Sequence, residues 1–351
     1  MSKRRVGIDY LRGVCILIVV FVHTVTFLGM PLRLTMFMEG IFLNGFYIIS
    51  GYIYSSKTYE ISIGQQIKRK IIHLGGLYIV LSILGIALQM LMSFFDKYHY
   101  ISVHYSGWGL LGKNIVMALT LNGVGPLWFL PILCIANIFI IIVQKASDKC
   151  KYIIMCISIV LGTVAHEVIG IYMSSVKGNI ASQLMLLADR IIVGIIFVSL
   201  GYIIGQLLKM YNYSIAQLLV SIVLMAITMA LALWFKLPAH YIFSTLLVLL
   251  VAVLIDRINV HKIIRTIFKP LSYMGENSMY IMFVHYFIWA PIGFNLIKKD
   301  WKDFSFLVNA ELFLFVVCLT IITTFIIRKS KCVRHLFGEE KYFERIIARD
   351  K

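Results

Sequence analysis

Charge is what this chain has least of. Lys, Arg, Asp and Glu together supply 14% of its 351 residues, while 60% are hydrophobic. The mean hydropathy is +0.90. A soluble chain of this length has no interior large enough to hide so much apolar surface, so the composition excludes two or three ordinary soluble domains and predicts a polytopic membrane protein. Acidic groups are the scarcer sign: 16 Asp and Glu stand against 33 Lys and Arg, a formal charge of +17. No basic stretch is interleaved with aromatics as a nucleic-acid surface would be, which excludes that partner. The cations fall between apolar runs, as the positive-inside rule requires of cytoplasmic loops, and lipid is the expected surrounding. Cysteine is sparse too. Cys15, Cys134, Cys150, Cys156, Cys318 and Cys332 form no CxxC pair and no metal-ligand spacing, which excludes a disulfide framework and a metal centre. The sequence has no internal repeat and no low-complexity tract, and no A-x-A-like cleavage site follows "MSKRR", so the first apolar run is read as an uncleaved helix.

What is present is a series of long apolar runs. Crossing a bilayer takes about twenty mostly apolar residues. Ten runs qualify, roughly 11–29, 40–56, 71–93, 126–143, 152–173, 190–208, 214–235, 240–256, 277–297 and 304–327. None alternates as a barrel strand would, so an all-α single membrane domain of about ten helices is expected over 1–351. With the N-terminus in the cytoplasm, segments 1–12, 57–70, 144–151, 209–213, 256–276 and 328–351 carry 24 of the 33 Lys and Arg. That bias predicts both termini inside, with a short basic tail over 328–351. The longest external connection, 94–125, is rich in Tyr, Trp and His and is expected to lie along the outer interface. The preference for isoleucine and lysine points to a bacterial cell membrane.

Ionisable residues within the apolar runs are the functional signal, because each is expensive in hydrocarbon. The first run, "DYLRGVCILIVVFVH" (9–23), carries Arg12 and His23. Eleven residues place them about 16 Å apart along a helix and within about twenty degrees of one face. Asp9 lies one turn before Arg12 and can pair with it. Arg12 thus marks the cytosolic mouth of a groove and His23 a point partway down. The stretch "LSYMGENSMYIMFVH" (271–285) runs from a polar turn, where Asn277 can cap a helix, to His285, about 12 Å in from the same side. Two histidines on different helices therefore reach similar depths. The bland alternative is an anchor arginine and two histidines that merely bond across a helix interface. In the outer half of the fifth run, "GTVAHEVIG" (162–170) sets His166 beside Glu167, and Asp189-Arg190 follows near the outer end of the sixth, read as an interfacial ion pair.

These residues carry a family resemblance. Arg12, ten intervening residues and His23 are similar to the first-span signature of the acyltransferase-3 family of integral membrane O-acyltransferases. "GPLWFLPILC" (125–134) resembles its tryptophan-containing segment, "YMGENSMYIMFVH" (273–285) its late span, and "FYIISGYIYSS" (46–56) its second span. The likeness covers nearly the whole chain, and is nearest to the branch of fucose 4-O-acetylase-like proteins. It departs at "QQIKRKIIHLGG" (65–76), where Lys68, Arg69 and Lys70 stand in place of the RxxR pair of many relatives. The hydrolase-like domain fused to some relatives is not expected here, and if transfer needs such a domain a separate extracytoplasmic partner protein would supply it.

The resemblance implies acetyl transfer, or transfer of another acyl group, from acyl-CoA to a hydroxyl of a cell-envelope or exported glycan or a lipid-linked sugar. Acetyl-CoA is then a co-substrate, and no cofactor is permanently bound. Its phosphates call for cations at the mouth, for which Arg12, Lys68 and Arg69 are the candidates. A sugar hydroxyl is a poor nucleophile until a base takes its proton, and a neutral imidazole suits that task, so His23 is the candidate general base. His285 is its catalytic companion, orienting the donor carbonyl or holding the acceptor. Asn277, Ser278 and Tyr280 are further substrate-binding candidates, alongside caps and packing as their ordinary roles. His166 and Glu167 are expected to bind the acceptor from outside, and Trp128 to stack on a sugar ring. The alternative is a ten-helix transporter or flippase of a small polar solute or lipid-linked sugar. Against it stands the absence of matched broken helices relating two halves.

Overall fold

A computed structural model of the chain describes residues 6–25, 32–56, 61–94, 107–175, 180–211, 213–237, 240–258, 266, 268–297 and 305–337. The described residues are helical, with no strand among them. The reason is the solvent: hydrocarbon offers backbone N–H and C=O groups no partner, so each run satisfies its own. In chain order the helices are α1 (Val6–Thr24), α2 (Leu32–Ile41), α3 (Asn44–Tyr54), α4 (Ile63–Lys70), α5 (Gly76–Ser93), α6 (Gly107–Leu119), α7 (Phe129–Val143), α8 (Asp148–Ser175), α9 (Ile180–Met210), α10 (Ile215–Trp234), α11 (His240–Ile258), α12 (Lys269–Glu276), α13 (Ser278–Val284), α14 (Ala290–Ile297), α15 (Phe306–Ile327) and α16 (Lys331–Leu336). Two π turns, Ile71–Gly75 and His285–Trp289, join α4 to α5 and α13 to α14, and a 3-10 turn, Gly125–Trp128, leads into α7.

Among the described residues, nine helices are long and apolar enough to cross a membrane. The protein is an all-α polytopic membrane protein. The run expected over 40–56 differs from the expectation of ten: it comes as α2 and the eleven-residue α3, interrupted at Phe42–Leu43. An eleven-residue helix rises only about 16 Å, short of a full crossing. The first helix begins at Val6 rather than Leu11, which takes Asp9 and Arg12 into its opening turns. Part of the long connection over 94–125 is also helical. α6 lies against α5, where Asn114 donates to Gln89 at 2.8 Å and the Tyr78 hydroxyl to the Ala118 carbonyl at 2.8 Å. The segments 1–5 and 338–351, which hold much of the expected cytoplasmic charge, lie outside the described residues, as does 95–106.

The helices group into two compact units. The first comprises Met1–Ile18, Met30–Ile67 and Ile135–Glu276, the second Val19–Gly29, Lys68–Cys134 and Asn277–Lys351. In the first, α3 packs along α9. Gly51 and Gly201 make that approach: a Cβ on Gly51 would strike the Val198 carbonyl, and one on Gly201 the Ile48 carbonyl. Small residues at a crossing are how membrane helices maximise van der Waals contact where no hydrophobic effect drives them together. α8 and α10 leave large apolar side chains such as Ile157, Leu161, Val220 and Leu224 exposed, a surface suited to lipid tails. In the second unit, α13, the π turn at His285–Trp289 and α14 pack on α15. Phe287 of that turn fills the space left by Gly85 on α5.

Candidate active site

Two imidazoles meet in the second unit. His23 Nδ1 lies 3.0 Å from His285 Nε2, with the rings stacked at 19° and their centroids 5.2 Å apart. His23 belongs to the last turn of α1, and His285 opens the π turn after α13. A π turn inserts one extra residue into the helical ladder and recurs at functional sites. The two side chains differ in access: His285 is fully buried, whereas His23 is half-buried. His285 Nδ1 donates to the Ile281 carbonyl at 2.6 Å, and the same oxygen receives the His285 backbone N–H. Both ring nitrogens of His285 are thus engaged.

Tyr286 completes the wall. Its ring stands edge-on to His23, centroids 5.1 Å apart at 72°. On its other side it fills the space where Gly125 has no side chain. Gly125 holds φ +57 and Gly123 φ +73, a left-handed backbone that a side chain would strain, so the glycines of the "GVGPLW" turn are needed twice, for conformation and for contact. Tyr286 was not singled out by the sequence, where it reads as one more interfacial aromatic. Its adjacency to His285 is the signal that could have raised it. Trp128 sits half-buried at the end of that turn, in the same unit.

The cations fall as follows. Arg12 lies 3.7 Å from Asp9, one turn away, with about a third of its side chain exposed. α1 is unbroken from Arg12 to His23, so the shared stripe and the axial offset of about 16 Å hold. Lys68 and Arg69 are exposed in the last turn of α4. Asn277 occupies the N-cap position of α13 and is fully buried, but its side chain makes no capping bond, so the cap predicted for it is not formed. Its φ of −106 and ψ of 16 depart from the extended backbone of a capping residue, which aims the side chain elsewhere. Ser278 begins the helix, partly exposed. Tyr280 is buried, its ring stacked on Phe337 at 4.1 Å and lying 5.8 Å from the Arg328 guanidinium carbon.

A second polar cluster belongs to the first unit. His166 Nδ1 donates to Asp189 Oδ1 at 2.6 Å, linking α8 to α9. Tyr241 of α11 stands edge-on to His166, centroids 5.1 Å apart at 79°. The short hydrogen bond of His166 is thus to Asp189 on the next helix, while the adjacent Glu167 points about 100° away around α8. Asp189 also lies within electrostatic reach of its neighbour Arg190, while its short hydrogen bond crosses to α8. The signal was in the sequence, since His166 lies nine residues before Ser175 and Asp189 nine after Ile180, matching positions in an antiparallel helix pair. Glu167 is half-buried. Among the described residues no group of three or more His, Cys, Asp or Glu is placed to share a metal ion.

No curated protein and no solved structure matches the chain. Residues 5–329 match the family model described as an acyltransferase domain, a span that takes in α1 with Arg12 and His23, the "GPLW" turn, and α13 with the π turn that opens on His285. On that match, which covers nearly all of the described helices, the chain belongs to the acyltransferase-3 family and is a membrane acyltransferase.

Proposed function

We propose that the protein transfers an acetyl or other acyl group from acyl-CoA to a hydroxyl of a cell-envelope or exported glycan, with His23 as general base. One observation carries the reading: in a membrane acyltransferase, an imidazole in the last turn of one apolar helix lies 3.0 Å from a fully buried imidazole on another. Ionisable groups at such depth are retained for work.

The chemistry balances simply. The acceptor oxygen attacks the thioester carbonyl carbon, a C–O bond forms and the C–S bond breaks. The hydroxyl proton passes to the imidazole and from there to the departing thiolate, so the products are an ester and free CoA. A positioned base of this kind contributes about 10²–10⁴-fold. The phosphates of CoA need cations, for which we assign Arg12, Lys68 and Arg69. The candidates for acceptor contacts are assigned within each unit separately: His166 and Glu167 in the first, and Trp128 for stacking with Asn277, Ser278 and Tyr280 in the second. The donor is taken from the cytoplasm of a bacterial cell and the acceptor from near the outer leaflet. A separate extracytoplasmic protein finishes delivery where the acceptor is not lipid-linked.

The test is mass spectrometry of envelope glycans from cells carrying the native protein, the His23→Ala variant or no protein. Loss of one acyl mass in both altered strains, at unchanged membrane levels of the variant, supports the reading. Intact acylation with His23→Ala overturns it, and a solute-uptake defect without acyl change selects the transporter.

A further inference from the structure

The hydrogen bonds around the two histidines fix which nitrogen of His23 can act. A carbonyl oxygen carries no hydrogen, so in the 2.6 Å contact between Ile281 and His285 the proton sits on His285 Nδ1. A neutral imidazole has a single N–H. His285 Nε2 is therefore a lone pair, and the proton of the 3.0 Å contact must come from His23 Nδ1. A neutral His23 is then left with its lone pair on Nε2. The competing arrangement makes His285 an imidazolium donating from both nitrogens. It would place a cation on a side chain with no exposed surface, whose described partners are a carbonyl and another imidazole and include no carboxylate. Burying an unpaired charge in that way is far costlier than choosing a tautomer.

We infer that His285 is a positioning residue: through the chain Ile281 C=O, His285, His23 it holds His23 as the Nδ1–H tautomer and makes His23 Nε2 the atom that receives the acceptor proton. This deepens the general-base reading and rests on it for its catalytic consequence, though not for the tautomer itself. With both nitrogens engaged, His285 acts on the reaction through His23 and does not touch the donor carbonyl. When His23 Nε2 gains the hydroxyl proton, His23 becomes an imidazolium and its Nδ1–H bond to His285 becomes charge-assisted. The proton stays on His23, because passing it to His285 Nε2 would create an imidazolium on a side chain with no exposed surface. The arrangement does what the aspartate of a serine-protease triad does for its histidine, namely hold the tautomer and orientation, but with a neutral partner. Tyr286, edge-on to His23, limits ring rotation that would carry Nδ1 away from His285 Nε2.

The experiment has two arms. In the first, the full chain is labelled with nitrogen-15 in histidine, purified in detergent and read by two-bond nitrogen–proton correlation, with His23→Ala and His285→Leu used to assign the signals. The expected result is the Nδ1–H pattern for both His23 and His285, and loss of that fixed pattern at His23 in His285→Leu. An Nε2–H pattern at His23, or an imidazolium at His285, overturns the inference whether or not transfer depends on His23. In the second arm, acyl transfer is compared for His285→Leu and His285→Gln at matched folded yield. Leucine fills the space without a hydrogen bond and lowers kcat by about 10²-fold or more. Glutamine can accept from His23 with its carbonyl while donating its amide to Ile281, and it recovers at least about tenfold of that loss. Equal activity of the two variants overturns the positioning role. If His23→Ala leaves transfer intact, the proposed function falls while the spectroscopic arm still decides the tautomer.

Discussion

Two histidines in this chain have nearly the same aromatic neighbour and opposite hydrogen-bond partners. A tyrosine stands edge-on to His23 at 5.1 Å and another to His166 at 5.1 Å. Yet His23 leans on a second imidazole, whereas His166 donates to a carboxylate. A carboxylate partner favours the charged form of the ring and ties two helices together with it. A neutral partner fixes orientation without pulling the ring toward the charged form. Partner charge, more than ring packing, is thus what distinguishes the base proposed at His23 from the acceptor contact proposed at His166. The comparison gives each unit its own expected signature: kcat for the first pair, stability and acceptor KM for the second.

The largest effect comes from breaking the first pair. His23→Ala lowers kcat by about 10²–10⁴-fold while leaving thermal unfolding in detergent nearly unchanged, since the side chain is only half-buried. His166→Ala, measured side by side, raises the acceptor KM and leaves kcat within several-fold. Equal kcat losses in both variants would erase the distinction drawn between the pairs.

Next is the packing that holds the second pair's unit. Gly51→Leu places a side chain where α9 runs closest to α3 and forces the helices apart, at a cost of about 1–3 kcal/mol or more. The expected outcome is a lower Tm and a reduced yield of folded protein, with both kinetic parameters altered only through that loss. A Tm equal to that of the native chain would mean the crossing is looser than its geometry requires.

Much of this was legible beforehand, for identifiable reasons. Arg12 and His23 stand out because ionisable groups are rare in apolar runs, and helical rise alone put His285 at the depth of His23. The span pattern follows from run length, except over 40–56, where helical hydropathy does not reveal the break at Phe42–Leu43. The π turn at His285 is invisible to periodicity, because one inserted residue changes no residue type. Asn277 has the identity of a cap, but the backbone there lacks a cap's dihedrals. The hydrogen bond from His166 to Asp189 was not read from the sequence, because the two lie on different helices and only the packing of α8 on α9 brings them together.

Breaking the second pair itself is expected to have a middling effect. Asp189→Asn keeps the size of the side chain but removes its charge, so the bond to His166 loses its charge assistance. Hydrogen bonds between membrane helices are worth less than their geometry suggests, because the unfolded state in lipid finds partners too. The expected loss is about 1–2 kcal/mol, read as a lower Tm in detergent, with the acceptor KM raised and kcat held. A fall in kcat as large as that of His23→Ala would mean that this pair does chemistry as well.

The smallest effect is the sharpest discriminator. Tyr286→Leu and Tyr241→Leu remove matching edge-on contacts, each worth about 0.5–1.5 kcal/mol beyond its buried area. Their stability losses should therefore be alike. Their kinetics should not. In the proposed mechanism the ring beside His23 restrains the nitrogen that takes the proton, so Tyr286→Leu is expected to lower kcat by about tenfold, the factor given by about 1.4 kcal/mol in the transition state. Beside His166 the ring buttresses an imidazole already held at 2.6 Å by Asp189, so Tyr241→Leu leaves kcat within about twofold. Steady-state kinetics on the two purified variants, with unfolding curves as the control for stability, separates a ring that aims a base from one that only fills space. Matching kcat values would return both histidines to the role of packed polar residues.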